Sequence, residues 1–272
     1  MKTRVIVGAV AIPLIVLVIF FAPLWVLGGL LGAVAAIGAW ELLRCVQPDL
    51  PIRMVVYAAV AAFVLPLFTS MGHYALVERL TLWGLVVVMF CELMLTFRKE
   101  ERMDFSQVML VVFAGFVLPM LFTTLVRLRM MEHGSVFVLL PFVVAFSSDS
   151  GAYFAGLYLG KHKLAPALSP KKTIEGSVGG FAAAILLCLV YGGILKACDL
   201  NVNFLVLGIY GFLGSLAGQL GDLSFSAIKR LHGVKDYSHV IPGHGGILDR
   251  FDSMLFIAPL MELLLMWVPA IM

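Results

Sequence analysis

Long apolar runs alternate with short polar segments along the whole chain. The first run, residues 5–40, contains no charged residue. As a single helix it would be about 54 Å long, nearly twice the hydrocarbon core of about 30 Å. We therefore predict two helices there with a break near Pro23, because proline is tolerated in a first helical turn and disrupts a helix interior. Seven further runs each predict one spanning helix: residues 54–70, 80–97, 105–126, 136–160, 177–197, 203–228 and 251–272.

These runs predict an all-α polytopic membrane protein with about nine transmembrane helices. Apolar residues make up 62% of the chain and charged residues 13%, outside the soluble range. No small-residue cleavage site is followed by a polar sequence, so we expect a retained N-terminal anchor. A net charge of +3 over buried spans offers no basic face, which excludes nucleic acid as a ligand. Four scattered cysteines without CxxC spacing predict neither a zinc site nor disulfides.

Basic residues are distributed unevenly over the predicted loops. Fifteen of the 19 lysines and arginines fall at the N-terminus or in the connections after the second, fourth, sixth and eighth helices, and four fall on the other side. Because basic flanking residues stay in the cytoplasm, this distribution places the N-terminus and the long polar loops inside and the C-terminus outside.

Polar residues are also distributed unevenly between the two halves, which share no internal repeat. Up to residue 134 the charges are ordinary loop charges, with Glu92 the one exception inside a predicted span. Polar residues cluster after that point. We therefore predict an N-terminal transmembrane scaffold of five helices, residues 1–134, and a C-terminal catalytic region of four helices, residues 135–272.

The predicted helix 136–160 carries Asp149 near its middle, among three serines. A carboxylate at that depth is costly unless it faces a water-filled cavity or a partner, and such residues are usually functional. Tyr153, Gly156 and Gly160 follow at helical spacing and extend the same face. The alternative is a buried aspartate satisfied by neighbouring hydroxyls.

The next polar loop reads KHKLAPALSPKKTIEGS, residues 161–177. Pro170 after Ser169 predicts a helix start, with Lys171 and Lys172 in its first turn. The helix dipole disfavours cations there unless an anion lies between, which a phosphate-bearing ligand would provide. Alternatively, the pair attracts anionic lipid head groups.

The predicted helix 203–228 carries two stripes. Glycines at spacings of three, four and three allow close helix contact: Gly211, Gly214, Gly218 and Gly221. Polar residues continue along one side: Asp222, Ser226, Lys229 and Arg230. Such a line suits a metal and a phosphate, although Asp222 could instead pair with Lys229 or Arg230 across helical turns.

A glycine-rich loop, IPGHGGILDRFDS, occupies residues 241–253. Its glycines allow the backbone to approach a ligand closely, and His244 between them is a candidate polar contact. We predict Asp249, Asp252 and Ser253 at the start of the last helix, where acids suit the dipole and can chelate a hard cation. The alternative is that they are ordinary helix-start acids.

Together these parts offer carboxylates for Mg²⁺, cations for phosphates, and no cysteine or histidine set for zinc or redox metals. They favour phosphoryl or nucleotidyl transfer at a membrane surface. The stretch SAIKRLHGVKDYSHVIPGHGGILDRFD, residues 226–252, resembles the signature of the phosphatidate cytidylyltransferases, also called CDP-diacylglycerol synthases. SPKKTIEG, residues 169–176, resembles a second shared block, and residues 148–153 with Gly160 and Lys161 resemble the polar helix before it.

The resemblance implies condensation of phosphatidic acid with CTP to give CDP-diacylglycerol and pyrophosphate, with Mg²⁺ required and a monovalent cation such as K⁺ left open. By position, Asp222 and Asp249 are the expected metal ligands. The expected catalytic set is Asp222, Asp249, Lys229, Arg230, Lys235, Asp236, His244, Arg250 and Asp252. The expected substrate-binding set is Asp149, Ser169, Lys171, Lys172, Thr173, Ser226, Gly245 and Gly246. The expected setting is a bacterial cytoplasmic (inner) membrane, with the active site facing the cytoplasm and a homodimer as an open option.

Two other functions compete with this interpretation. A CTP-dependent polyprenol or dolichol kinase-like enzyme would share the fold, but the KRxxxxKD and HGGxxDRxD pattern favours cytidylyl transfer. An ion-coupled transporter would use Asp149 and Asp222 as ion sites. The missing repeat and the gathering of polar residues on one face of the membrane disfavour a transporter.

Overall fold

The computed structural model describes residues 18–98, 103–240 and 245–271. Within these ranges seven helices are long and apolar enough to cross a membrane, so the protein is a helical multi-pass membrane protein, as predicted. In chain order these helices are α1 (Leu24–Val46), α2 (Ile52–Thr69), α3 (Tyr74–Thr96), α4 (Phe105–Met130), α5 (Gly134–Leu159), α6 (Ile174–Ala197) and α7 (Phe204–Leu231).

Each of these seven helices corresponds to one predicted span. α4 contains a π-helical turn at Phe113–Val117, and α5 consists of a short first segment, Gly134–Phe137, followed by Leu139–Leu159. The first predicted helix falls largely within residues 1–17, outside the described residues. The total of nine helices therefore stays a prediction.

The last predicted span, residues 251–272, differs from the structure. Two shorter helices occur instead, α8 (Leu248–Phe251) and α9 (Met254–Trp267), and the 14 residues of α9 fall short of a full span. α9 ends at Trp267 because Val268 precedes a proline, which disfavours helical backbone. The predicted placement of Asp249, Asp252 and Ser253 in one helix start is therefore wrong, since α8 holds Asp249 and the other two lie between the helices.

The polar loop after α5 forms a hairpin rather than a helix start. Strands β1 (Lys163–Ala165) and β2 (Ser169–Thr173) pair antiparallel. α6 begins only after Thr173, whose hydroxyl accepts a hydrogen bond from Gly176 N at 3.1 Å. The predicted helix start at Pro170 is therefore wrong, because the Thr173 hydroxyl, three residues later, caps the helix. Lys171 and Lys172 lie on a strand, where the dipole argument does not apply.

The described residues divide into two compact units. The first unit comprises the described residues up to Ser135 together with those of Asp236–Arg250, and the second comprises Val136–Lys235 together with the described residues from Phe251 onward. The main boundary lies next to the division predicted at residues 134 and 135. The glycine-rich segment, defined here as residues 236–250, groups with the unit of the N-terminal helices.

In the first unit, small residues bring α1 and α2 together. A methyl group on Gly32 would lie 2.6 Å from the carbonyl oxygen of Phe63, so only glycine permits this approach. Glu92 is the carboxylate inside a predicted span. It forms an ion pair with Arg53 at 3.3 Å and accepts a hydrogen bond from the Tyr57 hydroxyl at 3.3 Å. These partners explain how α3 tolerates the carboxylate.

In the second unit, the predicted glycine stripe on α7 does allow close contacts. A methyl group on Gly211 would lie 2.8 Å from the Ala184 carbonyl oxygen of α6, and one on Gly221 would lie 2.6 Å from the Asp252 carbonyl oxygen. The Ser148 and Ser215 hydroxyls, 2.7 Å apart, connect α5 to α7. This close packing of α5, α6 and α7 positions the polar residues described next.

Candidate active site

A cavity of about 370 Å³ lies in the second unit between α5, β2, α6 and α7. We call it the hairpin cavity. Its lining includes four of the predicted substrate-binding residues, Asp149, Lys171, Lys172 and Thr173. Its volume falls within the range of about 300–1,000 Å³ that is usual for small-molecule sites. The structure therefore brings the predicted polar helix and the predicted basic loop to one binding cavity.

Asp149 faces this cavity together with Tyr153 and Gly156, as the helical spacing predicted. Its side chain is exposed. The hydroxyl of the preceding Ser148 interacts with Ser215, and that of Ser147 donates to the Val143 carbonyl oxygen at 2.6 Å. The polar stretch in mid-helix thus opens onto a cavity, the arrangement expected for a functional intramembrane carboxylate.

Asp222 pairs with Lys172 across the site. Lys172 Nζ lies 2.5 Å from Asp222 Oδ2, and both side chains are only about a quarter exposed, at 26% and 29%. Ser226 donates a hydrogen bond to the other carboxylate oxygen at 3.3 Å. The structure thus shows a cation from β2 beside the carboxylate of α7, which couples two residues predicted to bind phosphate and metal.

Asp252 lies between α8 and α9, outside the seven spanning helices, and is buried. Burial and the nearby Asp222 carboxylate raise the pKa of Asp252 to about 7, against the opposing influence of Ser253 N and of Lys229. Asp149 also raises this pKa, more weakly. Three predicted acidic residues therefore share one electrostatic environment with the buried Lys229.

The remaining predicted residues of this unit lie at its edge. Arg230 donates to the carbonyl oxygens of Leu168 and Val234, at 3.2 and 2.9 Å, and so holds the hairpin end against the end of α7. Ser169 pairs with Ala165 in the hairpin, and Lys235 is exposed. The contacts of Arg230 indicate a structural role beside any contact with substrate.

In the first unit, the Asp249 side chain connects the two ends of the glycine-rich segment. Asp249 Oδ2 accepts hydrogen bonds from Tyr237 N and Gly246 N, both at 2.9 Å. Gly245 adopts a φ of 84°, a left-handed conformation that favours glycine, and lies beside both Asp236 and Asp249. The structure therefore assembles four predicted site residues in this segment: Asp236, Gly245, Gly246 and Asp249.

Two further predicted residues of the segment complete its description. Arg250 is exposed. His244 lies outside the described residues, and its predicted role as a polar contact stays a prediction.

The predicted metal ligands Asp222 and Asp249 belong to different compact units. Over the described ranges, no group of three or more histidine, cysteine, aspartate or glutamate side chains is arranged to hold a metal ion. The shared Mg²⁺ therefore stays a prediction from the sequence motif.

Two polar residues of the sites were missed by the sequence analysis. Gln219 lines the hairpin cavity and exchanges hydrogen bonds with Ser177 of α6. Glu41 of α1 binds the glycine-rich segment and is fully buried. A usable signal existed for both, because each is a polar residue inside a long apolar helix, and Glu41 directly follows the charge-free run that ends at residue 40.

Along nearly its whole length the chain is similar to one family of known proteins. Residues 2–268 match the model of the Cytidylyltransferase family. A phosphatidate cytidylyltransferase of Staphylococcus haemolyticus is 34% identical over 274 residues, which cover 97% of this chain and 99% of the relative. Phosphatidate cytidylyltransferases of Bacillus subtilis and Staphylococcus aureus are 33% and 34% identical, each over 97% of this chain. The similarity therefore extends over both compact units.

Proposed function

Because this chain belongs to the cytidylyltransferase family, we propose that it transfers the cytidylyl group of CTP to phosphatidic acid, giving CDP-diacylglycerol and pyrophosphate. Relatives named phosphatidate cytidylyltransferase that match nearly the full length of the chain support this choice of substrates. The observation that carries the proposal is the Lys172–Asp222 pair beside the hairpin cavity. It sets a phosphate-binding cation beside a carboxylate suited to a metal, the two groups that nucleotidyl transfer requires.

The reaction needs positioning more than acid–base chemistry. A phosphate oxygen of phosphatidic acid attacks the α-phosphorus of CTP, and a new P–O bond forms as the bond to the β-phosphate oxygen breaks. The electron pair of that bond leaves with pyrophosphate. The attacking phosphate is already largely ionised at neutral pH, so no general base is required. Catalysis then depends on alignment of the two substrates and on stabilisation of negative charge.

We assign the basic residues of the hairpin cavity to the phosphates. Lys171 is exposed and lines the cavity, whereas Lys172 is held by Asp222. A substrate phosphate would compete with Asp222 for Lys172 and so exchange one anion for another at the same cation. Lys229 is buried near Asp252, where its positive charge partly offsets the negative charge of the acidic residues.

From the sequence motif we propose Mg²⁺ as the metal, with Asp222 and Asp249 as its ligands. Mg²⁺ prefers carboxylate oxygens, which both of these side chains supply. Burial and, after it, repulsion from Asp222 raise the pKa of Asp252, and a nearby divalent cation would relieve the repulsion. When bound, Mg²⁺ would neutralise charge on the phosphate oxygens as pyrophosphate leaves.

We further propose that the protein lies in the cytoplasmic membrane of a bacterium with its site facing the cytoplasm. The fifteen-to-four distribution of basic residues supports this orientation. Bacterial relatives that match 97% of the chain support the setting. CTP is made in the cytoplasm, so the opposite orientation would separate the enzyme from its nucleotide.

The orientation predicts the labelling of two cysteines. His239 is exposed in the glycine-rich segment, on the predicted inner side, and the native Cys198 is exposed on the predicted outer side. With the other cysteines replaced by alanine, a membrane-impermeant maleimide should label Cys198 in intact spheroplasts. In the H239C variant lacking Cys198, it should label only inverted vesicles. Labelling of H239C from outside would contradict the orientation.

The proposed function is tested with purified protein, labelled CTP and phosphatidic acid. We expect a lipid product whose formation requires both substrates and stops when EDTA removes divalent cations. Stoichiometric pyrophosphate should accompany it. Release of CDP instead would indicate a lipid kinase, and ion flux into proteoliposomes without turnover of CTP would indicate a transporter.

A further inference from the structure

Glu41 of α1 is a buried carboxylate that the chemistry above does not use. A carboxylate without solvent destabilises a fold unless hydrogen bonds or a cation satisfy it. Glu41 Oε1 accepts from Ser238 Oγ at 2.5 Å and from Ile247 N at 2.8 Å, and Oε2 accepts from Leu248 N at 2.8 Å. All three donors belong to the glycine-rich segment. Glu41 is thus satisfied by a stretch of chain about 200 residues away in sequence.

The carboxylate joins the two arms of that segment. Ser238 lies near its start, whereas Ile247 and Leu248 lie near its end. A methyl group on Gly246 would lie 2.5–2.8 Å from the carboxyl atoms of Glu41. Glycine at this position therefore leaves the space that the carboxylate occupies, which explains the close approach at Gly246 without a ligand.

An apolar contact reinforces the same face of α1. Gly38 lies one turn before Glu41, and a methyl group there would lie 3.1 Å from Leu248 Cδ2. The Leu248 side chain is fully buried. Leu248 therefore makes two contacts with α1. Its side chain packs against Gly38, and its backbone N–H donates a hydrogen bond to Glu41.

The residues that Glu41 binds are next in sequence to the predicted catalytic residues. Asp249 follows Leu248 directly, and its own carboxylate binds Tyr237 N and Gly246 N. Two carboxylates thus bridge the same two arms of the segment. Because Asp249 and Arg250 come next after the residues that Glu41 binds, a shift of the backbone at Leu248 would move both.

We infer that Glu41 is a positioning residue, whose carboxylate fixes the glycine-rich segment in the orientation that Asp249 and Arg250 need for cytidylyl transfer. The inference rests on the proposed function and assigns a task within it to the N-terminal helices. Misplacement of a reacting group by about 1 Å can lower a rate about 100-fold. Loss of a residue that orients a metal ligand typically lowers activity about 10- to 100-fold.

The test compares Glu41→Gln with the wild-type protein. Glutamine keeps the size of the side chain but offers one acceptor oxygen where the carboxylate uses two. We expect kcat to fall about 10- to 100-fold with little change in KM for CTP. Hydrogen exchange of the Ile247 and Leu248 amides should become at least about tenfold faster, since each amide loses a charged acceptor. The matched control is Glu92→Gln, which removes a carboxylate bound to Arg53 and should change neither quantity.

A milder variant covers the case in which Glu41→Gln does not fold. Ser238→Ala removes one of the three hydrogen bonds and leaves both backbone bonds in place. We expect a several-fold fall in kcat with a smaller increase in exchange.

If hydrogen exchange of the Ile247 and Leu248 amides is the same in the variant as in the wild-type protein, Glu41 does not hold the segment. If exchange becomes faster while kcat stays at the wild-type value, Glu41 holds the segment but has no positioning role in the reaction. A wild-type protein that makes no CDP-diacylglycerol would refute the proposed function. Exchange in the same samples would still decide whether Glu41 holds the segment, so the two failures are distinguishable.

Discussion

Replacing Asp222 with asparagine should lower the rate of CDP-diacylglycerol formation roughly 100- to 1,000-fold, the loss seen when one charge-stabilising group leaves a preorganised site. Asparagine keeps an oxygen that can accept the hydrogen bond from Ser226 but removes the charge that pairs with Lys172. The measurement is the initial rate at saturating CTP and phosphatidic acid over a range of Mg²⁺ concentrations. Asp199→Asn is the matched control, because Asp199 has a φ of 62° in a loop, a conformation that asparagine tolerates.

The same experiment includes Asp249→Asn and the double variant. If the two carboxylates act on one metal, the double variant should be little worse than either single variant, because groups that act as a unit are strongly non-additive. Asp249 also binds Tyr237 N and Gly246 N, so hydrogen exchange of these amides reports its structural role separately. Near-normal turnover with unchanged Mg²⁺ dependence in either single variant would contradict the shared metal.

Replacing Lys172 with glutamine should lower kcat/KM roughly 100-fold, and the double variant with Lys171→Gln should lower it further. A 100-fold loss corresponds to about 2.7 kcal/mol. Because the ion pair with Asp222 is only about a quarter exposed, its loss also leaves the Asp222 charge without its partner. Comparison with Asp222→Asn, which removes the same pair from the other side, separates that effect from a lost contact to phosphate. The measurement is kcat/KM for each substrate in mixed micelles.

The control for Lys172 lies on the same hairpin. Lys163 is exposed on β1 and does not line the hairpin cavity, so Lys163→Gln should keep nearly full activity. The assays are repeated with increasing fractions of anionic lipid. Full recovery of the double variant at high anionic lipid would favour attraction to the membrane surface over a phosphate contact.

Hydropathy was sufficient to predict seven of the spanning helices, because an uninterrupted apolar run of about 20 residues has few other stable conformations. Local chemistry decided the misses. Ser169 and Pro170 are typical of a helix start, yet they lie in β2, which pairs with β1, and the hydroxyl of Thr173 caps α6 instead. The apolar run after residue 251 is long enough to span, but a break at Asp252 and Ser253 and the proline after Val268 shorten it to α9.

The spacing on single helices predicted the polar face that α5 turns to the cavity and the Ser226–Asp222 contact along α7, because residues three or four apart share a face whatever the rest of the fold does. It could not predict which faces meet. The spacing gave no indication of the Lys172–Asp222 pair, and Glu41 binds residues about 200 positions away. Both depend on tertiary packing, which helical periodicity does not contain.

The most direct test of cytidylyl transfer is the fate of each phosphate of CTP. Purified protein is incubated with phosphatidic acid, Mg²⁺ and CTP labelled at either the α- or the γ-phosphate, and the lipid is extracted. Transfer of the cytidylyl group predicts that the α label enters the lipid and the γ label leaves in pyrophosphate. Entry of the γ label into the lipid, with the α label left in CDP, would contradict it.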